Sequence, residues 1–303
     1  MEENKNCALC PRRCGADRTK GEGVCGCGAL PRVARVMIHR WEEPVISGEG
    51  GSGAVFFTGC PLGCVFCQNG VISRRENAGK VGRTMTEDDL ADTFSTLAEK
   101  GARTIDLVSP TPFTDLLIRA VGKARERGLS IPIVWNTGGY ERPETIASLK
   151  GTADVFLTDF KFLSPDLSRR LTGVSDYGEF AVASLIEMVK IAGAPAIGED
   201  GIMSSGVVVR HLVLPGQKDD SVAVLREIAG TVGPSSVLLS LMSQYTPEFY
   251  RKTGDLKLDR DLCRRVTTYE YETVRAEALR LGFDGFMQER NSATAAYTPG
   301  WDV

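Results

Sequence analysis

Phe56-Phe57-Thr58-Gly59-Cys60-Pro61-Leu62-Gly63-Cys64-Val65-Phe66-Cys67-Gln68-Asn69 sets three cysteines, at three-then-two spacing, in one short loop directly behind an apolar run. Three thiolates suit a 4Fe-4S cluster and leave one iron open, where another molecule can be bound and reduced. Gly59 and Gly63 let the backbone approach a bulky inorganic core, and Val65 and Phe66 can shield it from water. A structural zinc site wants four ligands, usually as two close pairs, but the next Cys or His downstream are His211 and Cys263. Disulfides need an oxidising compartment. The opening Met1-Glu2-Glu3-Asn4-Lys5-Asn6 has no apolar signal region, and no apolar span reaches membrane length, so a reduced, cytoplasmic protein is expected.

Outward from that loop, apolar runs alternate with amphipathic stretches, the pattern of a parallel sheet built from strand-helix units. Strands are predicted at Ala54 to Thr58, Thr104 to Val108, Ile131 to Trp135, Asp154 to Thr158, Val207 to Leu214 and Ser236 to Met242. Thr86-Glu87-Asp88-Asp89 reads as a capped helix start, followed by Leu90, Phe94 and Leu97 at helical spacing and stopped by Gly101. Thr114 to Arg127, Ala181 to Ile191, Asp219 to Ala229 and Leu262 to Leu281 repeat that logic, each ending before a glycine. About six such units fall short of the eight of a closed barrel, so an α/β fold with an open, partial (β/α)6 barrel is expected, its site at the carboxyl ends of the strands. Those ends carry the cysteine loop, Ser109-Pro110-Thr111, Asn136-Thr137-Gly138-Gly139-Tyr140, Asp159-Phe160-Lys161 and Gln244-Tyr245.

The chain has 303 residues, 42% of them hydrophobic, enough for a substantial core. A net charge of −3 and a pI near 5.7 argue against general nucleic-acid binding. Eight of the nine cysteines precede residue 68, which concentrates metal chemistry at the front. Within residues 1–30, Cys7, Cys10, Cys14 and Cys25 form Cys-x2-Cys-x3-Cys-x10-Cys, with Cys27 as a spare. Four thiolates in a segment too short to bury a core of its own fit zinc, a single iron or a second iron-sulfur cluster. The division expected is a Cys-rich metal module and lead-in over 1–50, the barrel over 51–285 and a tail over 286–303.

At these residues the chain resembles the radical S-adenosylmethionine (radical SAM) enzymes, with Cys60, Cys64 and Cys67 as their cysteine loop. Cys60 to Asn69, the Asn136 to Tyr140 turn, Asp159-Phe160-Lys161 and Arg210 to Gly216 are similar to the pyruvate formate-lyase activating enzyme and its relatives. Cys7-Ala8-Leu9-Cys10-Pro11-Arg12-Arg13-Cys14 and Glu42-Glu43-Pro44-Val45-Ile46-Ser47-Gly48 resemble one uncharacterised branch of that group. The resemblance implies that SAM chelates the open iron and is cleaved to methionine and a 5'-deoxyadenosyl radical, which takes a hydrogen atom. It implies Phe66 near the adenine, and Ser109, Asn136, Thr137, Asp159, Lys161 and Arg210 around SAM. A monovalent cation held by Asp159, Asn136, Thr137 and the Leu157 carbonyl is implied in the same way. This chain departs from the relatives' Gly-Gly-Glu after the second strand, having Val108-Ser109-Pro110-Thr111-Pro112 instead.

Structural readings stand beside these. Asp159 and Lys161 also fit a plain ion pair, Arg210 a structural clamp at the end of a valine run, and His39 and His211 read as core histidines. The functions implied are a glycyl-radical activase acting on a partner enzyme, or a radical SAM enzyme acting on a small molecule or cofactor precursor, with flavodoxin or ferredoxin as electron donor. A non-catalytic iron-sulfur electron carrier or sensor is the alternative of another class. The tail after Phe286, ending Ala295-Ala296-Tyr297-Thr298-Pro299-Gly300-Trp301, is expected to cover the barrel mouth or help bind a partner loop.

Overall fold

The computed structural model describes residues 5–253 and 260–288. Its strands are β1 (Arg32–His39), β2 (Ser52–Phe57), β3 (Arg83–Thr84), β4 (Ile105–Val108), β5 (Ile133–Thr137), β6 (Val155–Asp159), β7 (Ala196–Ile197), β8 (Met203–Leu212), β9 (Leu238–Met242) and β10 (Gly285–Met287). The sheet runs β10-β9-β8-β6-β5-β4-β2-β1-β3 and does not close. From β2 to β10 every neighbouring pair on that path is parallel. β1 pairs antiparallel with β2, β3 with β1, and β7 with β8. The six predicted strands are thus the centre of an open α/β barrel, extended at one edge by the antiparallel β1 and β3 and at the other by the short parallel β10.

Strand alternation divides the interior. Ile105, Leu107, Ile133, Trp135, Phe156, Val207 and Val209 join the large core beneath the outer helices. Val134, Val155, Leu157, Val208 and Leu238 face the other way and pack with Val45 and Ile46. Those two belong to the one-turn helix Pro44–Ser47, which follows β1. Residues 43–48 therefore plug the lower barrel interior, and the next inward position on β5, β6 and β8 is polar: Asn136, Asp159 and Arg210.

Helix Glu87–Glu99 begins as the sequence predicts: Thr86 Oγ1 accepts the Asp89 N–H at 3.2 Å, and Asp89 Oδ2 accepts the Thr86 N–H at 2.8 Å. Helices Thr114–Glu126, Tyr177–Ala192 and Lys218–Thr231 also lie where expected, the second starting four residues earlier than its apolar spacing indicates. The stretch 262–281 is not one helix. A 3-10 turn at Asp261–Cys263 precedes a helix at Thr268–Leu281, because Thr267 and Glu270 form their own capping box. Helix Pro165–Thr172 carries its signals openly, with Ser164 as N-cap, Pro at the first position and Gly173 in the left-handed C-cap. The predicted covering role of residues 295–301 lies outside the described residues. No described helix is long and apolar enough to cross a membrane.

Candidate active site

The cysteine loop leaves β2 through Gly59, whose φ of 82° suits glycine. A Cβ there would come within 2.4 Å of Cys27 Sγ, so the amino-terminal segment packs directly behind the loop. Cys27 Sγ lies 3.4 Å from the Thr58 carbonyl. The loop is tied down by the Val65 N–H donating to Leu171 O at 3.0 Å and the Cys67 N–H to Cys64 O at 3.1 Å. Gly63 has φ 62° and only open space where a Cβ would project. Burial pushes the Cys60 thiol up to about 11 against the backbone N–H groups of Gly63 and Leu62, and pushes Cys64 well up against the pull of Lys161. A metal would reverse that preference, since thiolates are the ligand form. Among the described residues no three Cys, His, Asp or Glu side chains stand ready for a single metal ion. The loop thiols fit a multi-iron core better, because such a cluster spreads its ligands over several metals.

Cys64, Cys67, Phe66, Asp159, Lys161 and Arg210 all line one cavity of about 200 Å³ at the strand ends. Burial opposes charge on Asp159, yet Lys161 and Arg210 hold its carboxyl below the ordinary range. Lys161 Nζ is 2.5 Å from Asp159 Oδ2, and Arg210 Nε is 3.0 Å from Asp159 Oδ1. Arg210 also donates to Asn136 Oδ1 at 2.6 Å and meets Glu42 Oε2 at 3.3 Å. The Asp159 and Asn136 oxygens read as a cation cage are therefore already engaged by Arg210 and Lys161. Phe66 meets Phe162 edge-on at 6.0 Å. Gln244 lines the cavity, while its neighbour Tyr245 is buried and donates to Leu262 O at 2.7 Å.

Ser109 and Thr137 are placed elsewhere, with Cys60, around a small second space behind the loop. Ser109 is a non-glycine residue at φ 60°, and its N–H donates to Asn136 O at 2.9 Å. Beside it lies a residue the sequence reading missed. Glu141 is 2% exposed; its Oε1 accepts from Thr111 Oγ1 at 2.9 Å and from the Thr137 hydroxyl, while Oε2 is buried without a partner. Burial pushes its carboxyl up to about 7. Glu42, Glu43 and Asp106 were missed as well. Asp106 had a readable signal, a carboxylate inside the apolar strand Ile105–Val108, whereas Glu42 and Glu43, at the start of the plug, are carried into the barrel when Val45 and Ile46 pack on strands far from them in sequence.

Cys7, Cys10, Cys14 and Cys25 line one small space together with Arg12 and Arg18. Burial pushes Cys10 up to about 12, with Cys25, Cys7 and Cys14 near enough to add to the rise. Cys27 is not on the wall of that space, but its side-chain hydrogen bond with Cys25 brings Cys25 down to about 6 while its own thiol lies against the cluster loop. The segment is anchored to the barrel by Arg12 Nε on Pro61 O at 2.9 Å, Arg142 Nη1 on Ala8 O at 2.7 Å and Thr145 Oγ1 on Leu9 O at 2.8 Å. The two histidines separate. His211 is buried, pushed below its ordinary value by burial, with Nδ1 2.6 Å from Phe160 O, whereas His39 lines a further cavity inside the barrel.

Residues 54–228 match the profile of the Radical SAM superfamily. Uncharacterized protein MJ0674 of Methanocaldococcus jannaschii is 27% identical over 284 residues, which cover 92% of this chain and 76% of that protein. Among solved structures, Streptococcus suis SuiB bound to precursor peptide SuiA matches 76% of this chain at 13% identity and a TM-score of 0.47, and this chain spans 46% of SuiB. Methylornithine synthase (PylB) matches 75% of this chain and 68% of its own length at 14% identity and a TM-score of 0.40.

Proposed function

The chain belongs to the radical SAM superfamily, and from that premise we propose that its barrel cleaves SAM and turns the resulting radical on a small polar substrate. A 4Fe-4S cluster and SAM, when bound, supply reductive cleavage to methionine and a 5'-deoxyadenosyl radical that takes a hydrogen atom. The observation that carries the reading is the shared wall: Cys64 and Cys67 open onto the same cavity as Phe66, Asp159, Lys161 and Arg210. Cys60, Cys64 and Cys67 would hold the cluster. Lys161 and Arg210 offer N–H donors to a carboxylate at that wall, Asp159 fixes both of them, and Phe66 offers a face for a purine. Asn136 orients Arg210, while Ser109 and Thr137 support the loop from behind.

The choice of a small substrate over a glycyl-radical partner rests on a polar cavity of about 140 Å³ inside the barrel, which opens onto the same residues. A backbone loop of a partner enzyme would have to enter from the mouth instead. The electron donor is assigned to the flavodoxin or ferredoxin class. Cys7, Cys10, Cys14 and Cys25 are assigned a second metal centre, zinc, iron or a cluster, because they line one small space, although their side chains do not stand ready for a single ion. Anaerobic reconstitution, reduction and addition of SAM should yield 5'-deoxyadenosine, and the Cys60→Ala variant should yield none. Absence of product from wild type with an intact cluster overturns the reading.

A further inference from the structure

Among the described residues, carboxyl groups outnumber the cations that face them inside the barrel, and burial pushes Glu42, Glu43 and Asp106 above their ordinary values toward the neutral form. Glu42, Glu43, Asp106 and Asp159 surround Arg210, and Lys161 is the other cation, bound to Asp159. The Arg210 guanidinium is already divided among Asp159, Glu42 and Asn136. Asn136 Nδ2 donates to Asp106 Oδ2 at 3.2 Å. The Ser240 hydroxyl serves the Glu43 carboxyl, but Glu43 Oε2 and Asp106 Oδ1 are left buried with no hydrogen-bond partner, on residues only 9% and 0% exposed. Bare buried carboxyl oxygens are costly, and a fold retains them where something else completes them.

Glu42 and Glu43 line the cavity of about 140 Å³, with Gln288 and His39 also on its wall. His39 Nε2 is 3.9 Å from Glu42 Oε1, and burial holds this imidazole below its ordinary value, so it adds no lasting positive charge. Gln68, Asn69, Arg210, Met242 and Gln244 are common to this cavity and to the larger one over the cysteine loop. A molecule seated in the first therefore touches whatever fills the second.

We propose that this inner cavity is the substrate pocket and that it takes the cationic headgroup of a small amine or guanidine, with Glu43 Oε2 and the Glu42 carboxylate receiving its N–H donors. The headgroup supplies the positive charge that lets the Glu42 and Glu43 carboxyls ionise despite their burial, and the donor that Glu43 Oε2 lacks. Gln68, Gln244 and Gln288 line the rest of its wall. The proposal deepens the radical SAM reading and depends on it for the chemistry that follows binding.

SAM also carries an amino group, so the test has to separate the two sources of cation. The reconstituted holoenzyme with SAM bound is titrated with 1,4-diaminobutane, agmatine and, as the uncharged control of similar shape, 1,4-butanediol. Binding is followed by calorimetry and by perturbation of the reduced cluster's EPR signal. At least one cation should bind about tenfold more tightly than the diol, and Glu43→Gln should lose about tenfold of that affinity, with Glu43→Asp recovering part of it. Cations that bind no better than the diol overturn the proposal. Displacement of SAM by the cation overturns it too, because the carboxylates would then serve SAM itself. The comparison of cation with diol is made on wild type, so a variant that fails to fold does not decide the outcome. SAM cleavage is scored separately on wild type: cleavage without cation preference removes this pocket and leaves the radical SAM reading, and cation preference without 5'-deoxyadenosine does the reverse.

Discussion

Arg210 Nε lies 3.0 Å from Asp159 Oδ1, and each side chain is 17% exposed. Neighbouring strands β8 and β6 bring them together, with Arg210 opposite Asp159 in the parallel register. Removing one partner of such a pair strands the other in a poorly solvated place. Arg210→Met should therefore destabilise the fold by about 3–5 kcal/mol, read as a lowered midpoint in chemical denaturation. The double variant Arg210→Met with Asp159→Leu should recover part of that loss; a double variant as unstable as the sum of the singles would show that the two side chains do not act as a pair.

The turn after β5 admits only glycine at one position. Gly139 has φ 77°, and a Cβ there would fall 2.1 Å from Asp159 O and 2.8 Å from Tyr177 Oη. Tyr177 Oη donates to Gly138 O at 2.9 Å, after β5, and accepts the Lys161 N–H at 2.9 Å, after β6, so it holds the β5 and β6 ends together. Gly139→Ala should cost about 1–3 kcal/mol of stability and weaken SAM binding to the reconstituted enzyme. Gly101→Ala is the control for φ alone: φ is 90° there, but nothing lies within 4 Å of the added Cβ. Equal effects at the two positions would rule out crowding as the cause.

Much of this fold is legible because parallel strands are buried on both faces and read as apolar runs; β2, β4, β5, β6, β8 and β9 all do so. β1 hides because Arg32, Arg35 and His39 interrupt it, as an antiparallel strand near an open edge permits. The same contrast holds at the site. Cys60, Cys64 and Cys67 announce themselves by spacing, and Arg210 by a charge that ends a valine run. Glu42, Glu43 and Glu141 are ordinary glutamates until the plug and the β5 turn bury them, and no local pattern records that burial.

Glu141 supplies a pH dependence. Burial raises its carboxyl from 4.5 to about 7, so the folded chain binds this proton more tightly than the unfolded one. The resulting stabilisation is complete below the unfolded value and is lost as pH rises through the folded one. At 1.36 kcal/mol per pH unit it amounts to about 3 kcal/mol. Glu141→Gln keeps a neutral side chain at every pH. Between about pH 5 and pH 8, wild type should lose about 3 kcal/mol more stability than Glu141→Gln in paired urea titrations. Parallel pH profiles for the two proteins would place the titration on another group.

Arg18 fastens the cysteine-rich segment to the barrel. It is 3% exposed, donates to Pro112 O and through Nε to Gly28 O at 3.1 Å, and lies over the Phe113 ring at 5.4 Å. Pro112 and Phe113 form the 3-10 turn after β4, on the strand beside the cysteine-loop strand β2. Arg18→Met keeps much of the apolar stem but strips the donors from the buried Pro112 carbonyl and the half-buried Gly28 carbonyl, a loss of about 1–3 kcal/mol for the buried one left unpaired. The segment should then loosen around its cysteines without global unfolding, because Arg12, Arg142 and Thr145 still tie it to other parts of the barrel. Alkylation of Cys7, Cys10, Cys14 and Cys25 in the chelator-treated protein should speed up in the variant, while that of Cys263 stays at the wild-type rate. Faster modification of all five cysteines would mean that the whole fold has loosened and that Arg18 is a general core residue.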